Sequence, residues 1–349
     1  MAERPRVLHL GPEVRGGMTE AMRGLLASPL AERYEQEMIA THRGAGPSRR
    51  LAVYGLALLR LSWWSLRGRG KIVHIHGTVR GSMYRKAVCV LLARALRRRV
   101  VFHVHSGPGD VATFRDGLGA ASVAFLGRAF RAADVVVAVS SASARALEEA
   151  FGVEGIVVVP NAAPPVGTEA GERELSAQAL FLGGFANPVK GGEVLVEALA
   201  SPGGAGVSVV MAGPGELPPA GQRLVEAGEA VEWRGWLAPA ERDALLGEAG
   251  IFVLPSTSEG LPMALLEAIS RGMAVVATSV GGVPDVVEDE VSALVVPPGD
   301  PEPLAAALSR VASDPELRAR LGRAARARAA ELGPDRIAER LDSLYRALL

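Results

Sequence analysis

The sequence has little cysteine and little lysine. Cys89 is the only cysteine among 349 residues, which excludes a disulfide framework and any metal site made of cysteines alone. Only Lys71, Lys86 and Lys190 are lysine among 38 basic residues, and this bias toward arginine points to a GC-rich bacterial genome. The start, MAERPRVLHLG, lacks a charged region followed by a long apolar one, so we expect a cytoplasmic protein.

Long apolar runs are also missing, since no segment reaches the roughly 20 apolar residues that span a bilayer. The nearest candidate is Leu51–Leu66, which Arg60 interrupts and which basic residues flank on both sides. Aliphatic and tryptophan residues beside arginine clusters are what a helix needs to lie on an anionic membrane surface. The alternative is a helix that faces the core of its own domain and has solvated charged ends.

The zero net charge hides an asymmetry between the two halves. Residues 1–160 hold 23 Lys and Arg against 12 Asp and Glu, a net charge of +11, whereas residues 161–349 hold 15 against 26, a net charge of −11. Such opposite halves indicate either that the first faces an anionic partner or surface, or that the two attract each other.

Short β-branched runs alternate with helical patterns along the chain, which predicts parallel sheets built from βαβ units. Ten strands are predicted, five on each side of a polar stretch with two prolines, Asn161–Ala177. We therefore expect an α/β protein with two doubly wound, Rossmann-like domains facing a central cleft. The predicted parts are residues 1–163, a linker at 164–176, a second domain at 177–332, and a last amphipathic helix at 333–349 that could return to the first domain.

The stretch EGLPMALLE places Glu259 and Glu267 on either side of a predicted helix start. An apolar strand precedes it, and Pro262 fits the first turn of a helix, where its missing N–H costs nothing. The N–H groups between the two acids form a natural anion site. A nucleotide sugar has the matching layout, because its diphosphate lies between two sets of hydroxyls.

The segment Pro255–Asp289 resembles the donor-binding signature of the retaining GT-B glycosyltransferases of family 4. The match continues upstream in FLGGFANPVKGGEVLVEAL, VVMAGPGE, VEWRGWL and VVVPNA, and it is looser in GPEVRGG, VHIHG, VFHVHSG and VVAVSSASARAL of the first half. The resemblance implies a GT-B fold with an N-terminal acceptor-binding domain and a C-terminal domain that binds a nucleotide sugar.

The resemblance also implies roles for particular residues. Glu259 would bind the transferred sugar, Lys190 the diphosphate and His105 the donor sugar, and Glu267 would bind the nucleotide ribose. The simpler alternatives are solvated side chains at Glu259, Lys190 and Glu267. The remaining donor-binding positions implied are Gly16, Gly17, Gly213, Gly215, Trp236, Leu237, Gly260, Leu261, Pro262, Met263 and Ala264. For Trp236, a buried structural tryptophan is the alternative.

The sequence departs from the family pattern at Gly184, where many relatives carry an arginine. Half of the usual cationic clamp on the leaving diphosphate is therefore absent, although stabilising that group is the main electrostatic task. Either Arg15 or Arg80 could substitute, or neither does. A milder departure follows Asn161 at the expected cleft, where Ala162 replaces a glycine.

Four of the six histidines form two pairs, His74 with His76 and His103 with His105. Alternation along a strand puts both members of each pair on one face, which raises the question of a metal site. No acid or cysteine stands beside either pair, and the resemblance is to metal-independent enzymes. We therefore expect no metal and no cofactor, and we expect His103 to pack or to cap.

The resemblance implies retaining transfer of a sugar from a nucleoside diphosphate donor, UDP by family frequency, to an acceptor hydroxyl. The acceptor would be a lipid-linked or envelope polysaccharide intermediate, or a small soluble metabolite, and no nucleic acid is expected to bind. A lipid-linked acceptor fits peripheral contact with the inner face of the cell membrane. Two alternatives remain: a nucleotide-sugar epimerase, and a non-catalytic GT-B protein that binds nucleotide or glycan for a partner.

Overall fold

The computed structural model describes residues 4–14, 16–44, 46–67, 70–79, 81–165 and 175–349. The chain divides into two compact units, of which one holds the residues up to Ala162 together with Leu332–Leu349 and the other holds Ala163–Glu331. Most of the predicted linker, residues 166–174, lies outside the described residues.

The first unit is built on a parallel sheet. Its strands are β1 (Arg6–Pro12), β2 (Glu35–His42), β3 (Gly70–Gly77), β4 (Arg99–Val104), β5 (Val135–Ala138) and β6 (Val157–Val158), in the order β2-β1-β3-β4-β5-β6. Its first helices are α1 (Gly17–Leu26), α2 (Leu30–Arg33), α3 (Pro47–Leu66), α4 (Gly81–Ala95), α5 (Pro108–Asp116), α6 (Ala120–Ala132) and α7 (Ser141–Phe151). The strand order reverses between β1 and β3, and ligands of open α/β sheets bind at such a switch point.

The second unit repeats this plan. Its strands are β7 (Ala179–Phe181), β8 (Val209–Met211), β9 (Val231–Trp233), β10 (Ile251–Leu254), β11 (Ala274–Thr278) and β12 (Leu294–Val296), all parallel in the order β12-β11-β10-β7-β8-β9. Its helices are α8 (Gly192–Ala200), α9 (Pro219–Glu226), α10 (Pro239–Glu248), α11 (Met263–Ser270), α12 (Val283–Val286), α13 (Pro301–Ser313) and α14 (Pro315–Glu331). Here the switch point lies between β7 and β10. The prediction of two Rossmann-like α/β domains is confirmed.

The last helix, α15 (Pro334–Leu348), belongs to the first unit. Its buried face, which includes Ile337, Leu341 and Tyr345, packs in one apolar cluster with residues of β1 and β3. Asp342 accepts hydrogen bonds from Tyr34 at 2.7 Å and from Arg33 at 2.6 Å, which fixes the helix against the segment that precedes β2.

The prediction of ten strands was wrong, because the described part of the chain has twelve. The two that were missed, β2 and β9, are edge strands of their sheets. An edge strand packs less apolar surface than a central one, so its sequence shows no continuous apolar run. In β2 the acids Glu35 and Glu37 interrupt the pattern, and both pair with Arg6 of the neighbouring strand.

The apolar segment Leu51–Leu66 forms the greater part of α3, one helix of the first unit. Within the described residues, no helix combines the length and the apolar character that crossing a bilayer requires.

Candidate functional site

Lys190 and Glu259 come together at the switch point of the second unit. Lys190 ends a short 3-10 turn that follows β7, and Glu259 lies in the loop that follows the neighbouring strand β10. The Lys190 Nζ atom lies 2.8 Å from Oε1 and 3.1 Å from Oε2 of Glu259. Ser256 donates a third hydrogen bond of 2.7 Å to Oε1. Because Glu259 is only 8% exposed, these partners offset the cost of burying its charge.

Direct backbone packing holds the two loops in place. Thr257 N–H donates to the Val189 carbonyl at 2.8 Å, which joins the loop after β10 to the turn after β7. Gly281 presses against the same site from another loop, since a Cβ there would lie 1.7 Å from the Glu259 carbonyl oxygen. The loop backbone that carries the Lys190–Glu259 pair is therefore fixed by main-chain contacts, as a preorganised site requires.

Glu267 lies one turn inside α11 and forms an ion pair with Arg242 of α10 at 2.5 Å. The helix begins at Met263, so Pro262 is its N-cap residue and not part of its first turn as predicted. Gly260 and Leu261 connect this cap to Glu259, and Ala264 follows Met263 in the first turn. The order of carboxylate, helix start and carboxylate thus exists as expected.

Sequence reasoning missed Ser256 and Arg242, the partners of the two acids. Ser256 stands in the same motif, three positions before Glu259, and a search for donors near the acid could have found it. Arg242 lies on a different helix, and no local spacing connects it to Glu267.

Gly184 occupies a place where no side chain fits. Its φ of +63° is left-handed, and a Cβ on this backbone would lie 2.4 Å from the Pro214 carbonyl oxygen. Gly213 and Gly215, on the loop after β8, pack equally closely against the backbone of residues 184–186. The arginine of the family pattern is thus excluded by the conformation of this loop. The two arginines named as substitutes, Arg15 and Arg80, lie outside the described residues.

Trp236 and Leu237 follow β9 at the far edge of the same sheet. Trp236 is 65% exposed, so the alternative of a buried structural tryptophan is wrong. Leu237 is half-buried. The residue before them, Gly235, accepts a hydrogen bond of 2.8 Å from Gly213 N–H, which links this segment to the loop after β8.

The predicted positions of the first unit lie at strand ends. Gly16 is the N-cap of α1 and Gly17 its first residue, in the loop that leaves β1 at the switch point of that sheet. His105 follows the last residue of β4, and Asn161 lies buried just before the chain leaves the unit at Ala162.

Five histidines lie close together on one face of the first sheet, which adds His9 to the four that the sequence paired. The ring nitrogens of His9, His74 and His76, and those of His76, His103 and His105, lie within 4.8 Å of one another. Such nitrogens could ligate a transition metal, so the expectation of no metal stays a prediction. Burial lowers the pKa of His9 and of His105 to about 4. It lowers the pKa of the other three well below 6.5.

Curated relatives match short stretches of this chain. A D-inositol 3-phosphate glycosyltransferase of Saccharomonospora viridis is 45% identical over 98 residues, which cover 28% of this chain and 23% of that protein. The amylovoran biosynthesis glycosyltransferase AmsK of Erwinia amylovora is 38% identical over 89 residues, or 24% of this chain and 22% of that protein. This chain thus matches less than a quarter of the length of either relative.

Solved structures are similar over the whole chain. HepE of Anabaena in complex with UDP has a TM-score of 0.74 at 18% identity and covers 98% of this chain and 100% of that one. Sucrose-phosphate synthase of Thermosynechococcus elongatus has a TM-score of 0.74 at 19% identity and covers 99% of both chains. These likenesses show the GT-B fold.

Two family models match consecutive parts of the sequence. The model for glycosyltransferase family 4 matches residues 25–165, and the model for glycosyl transferases group 1 matches residues 176–314. The chain therefore belongs to the group 1, family 4 type of glycosyltransferases.

Proposed function

We propose that this protein transfers a sugar from a nucleoside diphosphate donor to an acceptor hydroxyl. The observation that carries the proposal is the contact between Lys190 and Glu259 at the switch point of the second unit, 2.8 Å between Nζ and Oε1. A cation and a hydrogen-bond acceptor side by side match the two ends of the scissile bond, which are a phosphate oxygen and a hydroxylated sugar ring.

The helix starts beside the pair support the same chemistry. Lys190 lies two positions before α8 begins, and Glu259 lies four positions before α11 begins. The first N–H groups of a helix point outward and attract anions, so a diphosphate near Lys190 would gain stabilisation from both helix starts. Lys190 would then divide its hydrogen bonds between the diphosphate and Glu259. The charge that develops on the leaving group would be stabilised without movement of the backbone.

We extend the proposal to UDP as the nucleotide and to retention of the anomeric configuration without a metal ion. HepE of Anabaena was solved with UDP and with UDP-glucose, which supports UDP as the first nucleotide to test. Retention follows from the family resemblance, in which the leaving diphosphate accepts the proton of the acceptor hydroxyl.

The test is release of free nucleoside diphosphate from UDP-, GDP- and ADP-sugars, with and without bacterial lipid extract and with and without EDTA. Turnover with one donor that persists in EDTA is the expected result. A donor-induced thermal shift without release under any condition would favour the non-catalytic binding protein over the transferase. Conversion of the donor into its epimer would favour the epimerase.

We further propose that α3 places the first unit on an anionic membrane, where a lipid-linked acceptor would be found. One face of α3 packs into the core through Ala57, Leu61 and Trp64. The other face exposes large apolar side chains, namely Leu51, Leu56, Leu59, Trp63 and Leu66, each at least 49% exposed. We call these five residues the α3 stripe.

The charges around the α3 stripe fit an anionic surface. The Arg67 guanidinium lies 4.7 Å from the centre of the Trp63 ring, and Arg60 is exposed on the same helix. Apolar side chains that enter the headgroup region, with arginines beside them to meet lipid phosphates, are the features of an interfacial helix.

Flotation with vesicles of mixed anionic and zwitterionic lipid tests this contact. We expect wild type to float at low salt and Leu59→Ser/Trp63→Ser to remain with the soluble fraction. Val291→Ser, which changes an exposed apolar residue of the second unit, is the matched control and should float like wild type. Equal flotation of all three proteins would remove the α3 stripe as the contact.

A further inference from the structure

The histidines of the first sheet are joined in two separate series of hydrogen bonds. In the first series His105 Nε2 lies 3.1 Å from His76 Nδ1, His76 Nε2 lies 3.1 Å from His9 Nδ1, and His9 Nε2 lies 2.9 Å from Gln36 Oε1. In the second, Tyr345 Oη lies 2.5 Å from His74 Nδ1, and His74 Nε2 lies 3.3 Å from His103 Nδ1. Each of these distances corresponds to one hydrogen bond, in which one atom donates a proton and the other accepts it.

The first series has only two possible arrangements of its protons. A neutral imidazole has one donor nitrogen and one acceptor nitrogen, so the direction of one bond fixes the direction of the next. The Gln36 oxygen faces His9 Nε2, and His9 must therefore donate from Nε2 and accept at Nδ1. The same reasoning then assigns Nε2–H to His76 and to His105.

The rings are neutral, as this arrangement requires. His9 and His76 are each 1% exposed, and burial disfavours their charged forms, which lowers the pKa of both. His105 is less deeply buried, yet burial also holds its pKa at about 4, partly offset by Asn161. Because Nε2 of His105 is bonded to His76, Nδ1 is the ring nitrogen left to interact with Asn161.

We propose that His105, His76, His9 and Gln36 form a one-way hydrogen-bond relay, in which His76 and His9 are positioning residues that fix the tautomer of His105. One end of the relay is His105, whose neighbour Asn161 lies just before the chain leaves the unit at Ala162. The other end is Gln36 on the edge strand β2, which borders a cavity of about 420 Å³. The relay runs across β2, β1 and β3. The hydrogen bond that Gln36 makes on the edge strand therefore determines the tautomer of His105, which follows β4.

The direct test is the tautomer of each ring in the full chain, labelled with ¹⁵N at histidine and measured by long-range ¹H–¹⁵N NMR at pH 7.5. His9, His76 and His105 are each expected as a single neutral Nε2–H tautomer. An Nδ1–H tautomer or a mixture at His9, His76 or His105 would overturn the relay. So would loss of these ring protons on addition of Zn²⁺, because the cluster would then be a metal site.

Asn161→Asp tests the direction of the relay. A carboxylate accepts hydrogen bonds only, so His105 must donate to it from Nδ1, and the change must pass to His76 and His9. All three rings are expected to switch to Nδ1–H, while His74 and His103 of the second series keep their state. A switch confined to His105, or no switch in the folded variant, would contradict a coupled relay.

Gln36→Glu is the matched variant, because a carboxylate at this end accepts from His9 as the Gln36 oxygen does. No tautomer is expected to change, and a switch at His9 would overturn the assigned direction. With acceptors at both ends, Asn161→Asp/Gln36→Glu should take up one extra proton and show one imidazolium near neutral pH. If Asn161→Asp does not fold, wild type and Gln36→Glu still decide the assignment.

The effect on transfer rests on the proposed function, whereas the tautomers do not. In a transfer assay His9→Phe should lower kcat about tenfold and leave the donor KM unchanged, because a misplaced ring weakens transition-state contacts. Gln36→Glu should leave both kcat and the donor KM unchanged. Equal kcat values for wild type and His9→Phe would remove the positioning role, and correct tautomers without any transfer would count against the proposed function alone.

Discussion

All six histidines lie between His9 and His105, in the first unit, whereas the second unit has none between Ala163 and Glu331. In the first unit five imidazoles lie across the sheet and are hydrogen-bonded to one another in two series. In the second unit the sheet packs on apolar side chains, and the pair Lys190–Glu259 lies in loops at strand ends. Polar groups inside a sheet need fixed internal partners, whereas a pair at a strand end can exchange a partner for a ligand.

The largest effect is expected from breaking the pair in the second unit. Glu259→Gln and Lys190→Met should each lower transfer at least about a thousandfold, because each removes a contact to the reacting groups. Glu290→Gln is the matched control, since it breaks the exposed pair of Glu290 with Arg310 in the same unit. Circular dichroism should show folded protein in every case. Wild-type turnover in Glu259→Gln would remove the site assignment.

Gly184→Ala should destabilise the second unit by several kcal/mol. A non-glycine residue at positive φ costs about 1–3 kcal/mol, and here the Cβ also overlaps the Pro214 carbonyl oxygen at 2.4 Å. Gly228→Ala is the control, because its φ of +74° is similar but a Cβ there meets no atom of the described residues within 4 Å. Urea unfolding measures both. Equal losses of unfolding free energy in the two variants would mean that the loop after β7 can move away from the added Cβ at little cost. An arginine at position 184 would then be tolerated.

Mild acid should distinguish the two units, because the first should open before the second. Burial lowers the pKa of folded His9 to about 4 from its ordinary value of 6.5, so the unfolded state binds more protons between about pH 6.5 and 4. The contribution of His9 to stability is therefore complete above pH 6.5 and is lost as the pH drops through this window. His9 alone contributes about 3 kcal/mol to the loss. Hydrogen exchange of the full chain should show β1, β3 and β4 losing protection before β7 and β10, and the reverse order would contradict the account.

Lys86→Met should give the smallest effect, a gain of about 2 kcal/mol at pH 7. Among the described residues, buried Lys86 hydrogen-bonds to the Leu10 carbonyl and to Thr41 and to no carboxylate, and burial lowers its pKa to about 7. The unfolded state binds the extra proton between pH 7 and 10.5, so wild type gains stability as the pH rises through that range. The advantage of Lys86→Met should shrink toward pH 10, and a constant advantage would mean that Lys86 is not desolvated.

Several features of the fold and the site could be predicted from the sequence because their causes are local. Apolar runs marked every central strand, and the spacing of Glu259 and Glu267 around Pro262 marked a helix start between two acids. The proline position was off by one residue, because a proline satisfies the geometry of the cap as well as that of the first turn.

Other features depend on contacts that no short segment contains. The edge strand β2 was missed because its acids pair with a different strand. From the sequence alone, the absence of an arginine at Gly184 indicated the loss of a cation that contacts the leaving diphosphate. In the structure its cause is steric, because the loop at Pro214, about thirty residues further along the chain, lies too close for a side chain. His9 was not grouped with the paired histidines, because only the strand order β1-β3-β4 brings it beside His74 and His76.

The central claim is that the nucleotide sugar binds at the loops of the second unit around Lys190 and Glu259. Hydrogen exchange of the full chain with and without the donor found in the release assay tests it most directly, and it needs no acceptor. The account predicts protection concentrated in residues 182–191, 212–217 and 255–267, and loss of this protection in Lys190→Met. Binding that protects other segments and leaves these three unchanged would contradict it.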